Sequence, residues 1–141
     1  MSQDDLPPPP REFQWQVRVY YEDTDFSGVV YHARYLHFFE RGRTEALRAC
    51  GVHHSEMLTR SEPLAFTVRN MSIDWIIPAR IDDILDVSTR FEEVRGARML
   101  LTQLMHRGED LISRAKVEAA CMNLEGKPRR VPTEFVGRFT G

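Results

Sequence analysis

Apolar and polar residues alternate along the start of the chain. Phe13, Trp15, Val17, Val19 and Tyr21 share one side, and Gln14, Gln16 and Arg18 the other. A period of two belongs to a strand with one buried face, so residues 13–21 are predicted to form the first strand. The period changes after an acidic, turn-rich segment. From about Ala33 to Cys50, helical spacing gathers Tyr35, Leu36, Phe38, Phe39, Gly42, Ala46, Leu47, Ala49 and Cys50 on one side. The opposite side carries Arg34, His37, Glu40, Arg41, Thr44 and Arg48, and only Arg43 intrudes on the apolar arc. So wide an arc predicts a helix largely wrapped by other structure. Its roughly 18 residues span about 27 Å at 1.5 Å per residue, the width of a small sheet. Gly51 is placed to end it.

After a short helical turn expected around Ser55 to Thr59, the pattern returns to a period of two. Phe66 and Val68 lie on one parity and Met71, Ile73, Trp75 and Ile77 on the other, which predicts a strand over about 65–77 with a bulge near Asn70. Pro78 ends it. Leu85, Val87, Thr89 and Phe91 then alternate with Asp86, Ser88, Arg90 and Glu92, and Gly96 turns the chain into a strand from Met99 to His106. Gly108-Glu109-Asp110 turns it again, into a strand with Ala115, Val117, Ala119 and Cys121 on one face. Gly126-Lys127-Pro128 closes that strand, and Lys127, Arg129, Arg130 and Arg138 read as a solvated tail face.

Strand, long helix, then four strands joined by turns is an α+β order, and it excludes a doubly wound parallel sheet. One five-stranded antiparallel sheet around one helix buries the broad apolar helix face. In a chain of 141 residues the far side of the sheet is expected to be covered by another copy, so a homo-oligomer is predicted. The length fits one domain, residues 12–141, preceded by an arm over residues 1–11 that Pro7 to Pro10 keep extended and disordered.

Composition narrows the chemistry. With 19 Lys+Arg against 21 Asp+Glu, the formal charge of -2 gives no basic field for a nucleic acid. Cys50 and Cys121 have neither zinc-site spacing nor disulfide density, so reduced thiols and a cytoplasmic setting are expected. The acidic start lacks the features of a signal peptide, and no apolar run is long enough for a transmembrane segment.

Candidate chemistry concentrates between Glu22 and Tyr35. Asp23, Asp25, Ser27 and Gly28 match the opening positions of a calcium loop, but Arg34 stands where its last carboxylate is required. No nucleophile elbow, phosphate-binding glycine loop or metal-ligand histidine pair is present. His32 and His37 do not share a helix face, and His53-His54 reads as a polar pair after the helix. What remains is a carboxylate ahead of a helix N-terminus. Asp25 precedes His32 by seven residues, and Gly28 lets the backbone between them turn sharply. The first N–H groups of a helix lack internal partners and carry the positive end of its dipole. Aimed at a carbonyl oxygen they form an oxyanion hole, while the carboxylate attacks the carbonyl carbon or deprotonates a water. A thioester suits this arrangement, because a thiolate leaves without strong acid help. The only other candidates in the loop are Tyr21 and the His32 ring, and each of these residues taken alone reads first as an ordinary turn, cap or strand-end residue.

The run from Arg18 to Tyr35 closely resembles the active-site signature of the 4-hydroxybenzoyl-CoA thioesterase family, in its Tol-Pal-associated acyl-CoA thioesterase branch. Arg18, Val19, Thr24, Asp25, Gly28, Val29, Val30, His32 and Tyr35 fit its fixed positions. The likeness continues through Glu40-Arg41-Gly42-Arg43-Thr44-Glu45, with Gly42 in place of a more usual alanine, and through Pro78-Ala79-Arg80. The resemblance implies a hotdog fold, subunits that pair their sheets, a homodimer or homotetramer, and active sites at the dimer interface. It further implies that Asp25 is catalytic, that the backbone N–H at or near His32 polarises the carbonyl, that Tyr21 belongs to the site, and that Asp23 is structural. The expected activity is hydrolysis of acyl-CoA, or of acyl carrier protein thioesters, to a free acid with no metal or organic cofactor. The alternatives are a hotdog hydratase and a non-catalytic acyl-carrier or envelope-assembly partner.

Overall fold

The computed structural model describes residues 11–139. The arm expected over residues 1–11 lies, but for Arg11, outside the described residues. The elements are β1 (Glu12–Arg18), α1 (Arg34–Ala49), α2 (His54–Met57), β2 (Leu64–Trp75), β3 (Ile84–Arg95), β4 (Arg98–Arg107), β5 (Asp110–Asn123) and α3 (Thr133–Val136). All strand pairs are antiparallel and the sheet order is β1-β3-β4-β5-β2. This is the hotdog arrangement, one five-stranded sheet curled around one long helix. β1 and β2 are its edges.

The broad apolar arc of α1 meets the sheet as its spacing required. Phe38, Phe39, Ala46 and Leu47 are buried together with Leu85, Val87, Phe91, Leu101 and Val117. Gly42 marks the closest approach. A Cβ there would stand 2.7 Å from Val87 Cγ1, so the helix seats against β3 only because that position has no side chain. Beneath it Gln103, wholly buried, donates through Nε2 to the Phe39 carbonyl (2.9 Å) and to Thr89 Oγ1 (2.9 Å). Arg43, the one polar intruder on the arc, completes this network by donating to Gln103 Oε1 at 3.0 Å. A buried amide is tolerable when its donors and acceptor are all met.

The helix ends where Gly51 predicts. Gly51 takes a φ of 78°, and its N–H and that of Val52 return to the carbonyls of Arg48 and Leu47 at 2.9 Å each. This double closure satisfies carbonyls that the last turn leaves free. The parity switch in β2 has the predicted cause: register against β5 shifts between Val68 and Asn70, leaving Arg69 as the extra residue.

Three details differ from the sequence reading. β1 stops at Arg18, and Tyr21 lies in a 3-10 turn, Tyr21–Asp23. Asp23 Oδ2 accepts from the Tyr20 N–H at 2.8 Å, which turns the chain out of the sheet before the alternation runs out. The helix begins at Arg34 with Ala33 as its N-cap, so His32 precedes it by two residues. The C-terminal stretch is packed: Phe139 is fully buried with its ring 4.5 Å from that of Phe91, and Arg138 Nη1 donates to the Cys50 carbonyl. The basic residues around it masked this apolar anchor in the sequence.

Candidate active site

The segment between β1 and α1 folds as a small hairpin fixed to a second turn. Thr24 pairs with Val30, and the Asp25 N–H donates to the Val29 carbonyl at 3.0 Å. Gly28, at φ 82°, returns its N–H to the Asp25 carbonyl and makes the tip, a conformation that a side chain resists. Val29 pairs with Arg80 in turn, the Val30 N–H donates to the Ala79 carbonyl (2.8 Å), and the Ile81 N–H to that of Gly28 (3.2 Å). Residues 28–30 are thus stitched to the turn between β2 and β3.

That turn is itself held. The buried Tyr35 hydroxyl accepts from the Ala79 N–H at 3.0 Å, tying the first turn of α1 to it. Asp83 accepts from the Arg80 N–H (2.9 Å) and from Arg107 Nη1 (2.8 Å). Asp23 closes the other side, since it is buried, caps Tyr20 and faces Arg34 Nε at 3.4 Å. Its role is structural, as the resemblance implied.

Within this frame Asp25 is exposed at the hairpin tip. One carboxylate oxygen, Oδ1, accepts from both the Ser27 N–H (2.8 Å) and the Ser27 hydroxyl. The hydroxyl and backbone donors of Ser27, in that order, hold the Asp25 carboxyl below the usual aspartate range, and slight burial opposes them weakly. Asp25 is therefore a carboxylate at neutral pH, with Oδ2 uncommitted among the described residues. From the sequence Ser27 stood out only as a calcium-loop match. The spacing Asp-x-Ser, which lets a side chain bond two residues ahead, was the signal for its second role.

His32 is exposed at the start of α1, its ring 4.5 Å from Tyr31 and 6.1 Å from Trp75. The Arg34 N–H donates to the Tyr31 carbonyl and that of Leu36 to Ala33, whereas the N–H groups of His32 and Ala33 meet no acceptor among the described residues. Beside them lies a groove of about 220 Å³ lined by Val30, His32, Tyr35, Trp75, Ile76, Ile77 and Pro78. Trp75, half-exposed at the end of β2, was read as a strand residue only. Tyr21 stands four residues ahead of Asp25 with its ring largely in solvent, and makes no side-chain hydrogen bond among the described residues. Among the described residues no hydrogen bond, ion pair or ring contact joins Tyr21, Asp25 and His32 to one another. A second, deeper cleft opens beneath the far half of α1, away from this loop.

Among the described residues no cluster of His, Cys, Asp or Glu has metal-binding geometry, and no helix is long and apolar enough to cross a membrane.

Residues 27–113 match the pattern of the thioesterase superfamily. The chain is 47% identical over 128 residues to "Acyl-CoA thioesterase YbgC" of Haemophilus influenzae, covering 90% of this chain and 93% of that one. It is 44% identical over 129 residues to "Acyl-CoA thioester hydrolase YbgC" of Escherichia coli, covering 90% and 95%. A crystal structure described as a "Probable Thioesterase from Bartonella henselae" superposes with a TM-score of 0.84 at 49% identity, covering 86% of this chain and all of that one. On the fold, the signature loop and these relatives together, the chain belongs to the thioesterase superfamily and is a thioester hydrolase.

Proposed function

We propose that the protein hydrolyses acyl-CoA to a free carboxylic acid and CoA, with Asp25 as the catalytic carboxylate. The observation that carries this is an ionised, exposed Asp25 on a hairpin stitched to the turn at Ala79, in the same segment as the unpartnered N–H groups of His32 and Ala33 just ahead of α1. The relatives' names supply the substrate class. The first N–H groups of the helix, at or near His32, receive the thioester oxygen and stabilise the charge that develops on it, which costs little reorganisation because the backbone is already fixed. Asp25 either attacks the carbonyl carbon, giving an Asp25 anhydride and a free thiolate, or takes a proton from the attacking water. The His32 ring and Tyr21 position substrate or water. The reaction needs no metal and no organic cofactor, because the thiolate leaves unaided.

Residues 12–141 act as one catalytic domain, and the working unit is a homodimer or a dimer of dimers. β2 is an edge strand of twelve residues, and Val68, Trp75, Ile76 and Ile77 along and beyond it are exposed apolar residues. Pairing β2 with a second copy covers that edge, as an unprotected edge otherwise invites uncontrolled pairing. A cytoplasmic setting accords with a CoA substrate and with Cys50 and Cys121, both free and buried.

Release of CoA thiol from a panel of acyl-CoAs tests the reading, and thioesters of acyl carrier protein in the same assay identify the carrier. Single turnover in isotopically labelled water separates the two roles of Asp25. Label in its carboxylate supports attack; label confined to the released acid, with no acyl adduct on Asp25 in a rapidly quenched turnover, supports the general base.

A further inference from the structure

Among the described residues Asp25 and His32 share no hydrogen bond or ion pair, yet both of their segments are bonded to one turn. The Asp25 hairpin reaches residues 78–83 through the pairing of Val29 with Arg80, the Val30 N–H to the Ala79 carbonyl (2.8 Å) and the Ile81 N–H to the Gly28 carbonyl (3.2 Å). The start of α1 reaches the same turn through the Tyr35 hydroxyl, which accepts from the Ala79 N–H at 3.0 Å. Residues 78–83 are therefore a common mount. Its shape sets how far the Asp25 carboxylate stands from the N–H groups of His32 and Ala33.

The mount does not hold itself. Asp82 has a φ of 69°, in the left-handed region that few residues with a side chain adopt, and such a backbone persists where surrounding contacts over-determine it. Two of those contacts come from the end of β1: the Asp82 N–H donates to the Val19 carbonyl at 3.0 Å, and the Val19 N–H to the Asp83 carbonyl at 2.8 Å. A third comes from Arg107, the last residue of β4. Its Nη1 lies 2.8 Å from Asp83 Oδ2 and 3.4 Å from the Pro78 carbonyl oxygen, so one guanidinium nitrogen spans the first and last residues of the turn. The same Asp83 oxygen accepts from the Arg80 N–H at 2.9 Å, and Arg80 is the residue that pairs with Val29.

Charges from three elements converge here. The hydrogen bond to Asp83 raises the pKa of Arg107, with slight burial opposing it weakly. Burial raises the pKa of the Tyr35 hydroxyl, the Ala79 N–H lowers it, and the charges of Arg107 and Asp83 then act on it with opposite signs. A partly exposed ion pair such as Arg107–Asp83 adds little to global stability. Its consequence lies instead in where the turn sits. Arginine suits the task because its planar fork holds donors in a fixed geometry, which the single compact charge of a lysine does not.

We propose that Arg107 is a positioning residue for the hydrolysis: acting through Asp83, it fixes the separation of Asp25 from the N–H groups just ahead of α1. This rests on the thioesterase reading with Asp25 as its carboxylate. Its test is kcat and KM by thiol release from the best substrate among acetyl-, hexanoyl-, dodecanoyl- and benzoyl-CoA, per folded molecule and well below each melting temperature. The proteins compared are the wild type, Arg107→Met, Arg107→Lys, Asp83→Asn and the double variant of Arg107→Met with Asp83→Asn. Arg107→Met is expected to lower kcat about ten- to a hundredfold, the scale of a small misplacement of a reacting group, with KM changed far less. Arg107→Lys keeps the charge and a bond to Asp83 without the span, and recovers part of the loss. The double variant falls no further than the worse single one, because both substitutions break one contact. Arg90→Met, which removes an ion pair of similar length to Glu92 within β3, leaves kcat unchanged. A kcat in Arg107→Met equal to that of Arg90→Met, a loss carried by KM alone, or single losses that multiply in the double variant overturns the positioning role. Should Arg107→Met fail to fold, an unchanged kcat in both Arg107→Lys and Asp83→Asn overturns it. Absence of hydrolysis for every acyl-CoA overturns the thioesterase reading and this role with it, whereas Asp25-dependent hydrolysis indifferent to Arg107 overturns the role alone.

Discussion

Ser27 bonds twice to one oxygen of Asp25, through its backbone N–H and its hydroxyl. Those donors stabilise the charged carboxylate, so the proposed nucleophile or base is in its charged form at neutral pH. The active form is the deprotonated one, present above the Asp25 pKa and lost as pH falls through it. Replacing the hydroxyl in Ser27→Ala removes the larger of the two favourable contacts. The acidic limb of kcat/KM is then expected to move to higher pH, toward the position of an ordinary aspartate, with the plateau above it less affected. A limb that stays in place after this substitution assigns it to another group.

The hydroxyl of Tyr35 is the acceptor for the Ala79 N–H inside the core. Tyr35→Phe leaves that backbone donor without a partner, at a cost of roughly 1–3 kcal/mol. Urea unfolding is expected to show this loss. Because Ala79 also holds Val30, kcat is expected to fall more than thermal stability alone explains when both are measured well below the melting temperature.

Gln103 serves three partners, Phe39, Thr89 and Arg43. Gln103→Leu fills the space with a similar volume but strands a carbonyl, a hydroxyl and a half-buried guanidinium together. The expected destabilisation is about 2–4 kcal/mol, larger than a volume-matched apolar swap gives. Calorimetry of the variant measures it directly.

Val68, 43% exposed on the β2 edge, lies within the surface proposed to pair two copies. Val68→Lys places a charge in that interface twice, once from each copy. Sedimentation is expected to show a shift toward the single chain, with kcat/KM falling in proportion to the dimer lost. An unchanged sedimentation coefficient and full activity move the interface elsewhere.

Much of this architecture was legible in the chain because its causes are local. The Val68-to-Met71 parity switch announced the bulge at Arg69, and Gly51 announced the double closure that ends α1. Arg43 was visible as a flaw in an apolar arc, although its partner Gln103 was not, since sixty residues separate them. A separation of 24 residues likewise hid the clasp of Asp83 and Arg107 under the loop. Tyr21 was placed in β1 because alternation continues to it. The competing pull of the Asp23 carboxylate on the Tyr20 N–H is a three-dimensional event that alternation does not record. Phe139 was lost among arginines, and only its packing on Phe91 reveals it as core.

Asp25→Asn keeps the size of the side chain and its ability to accept from Ser27, and removes the charge. Thiol release from acyl-CoA by the wild type and this variant, at equal concentrations of folded protein, tests the central claim most directly. The account predicts a loss in kcat of at least about a hundredfold, the low end of what a positioned base or nucleophile contributes. Equal rates for the two proteins contradict it.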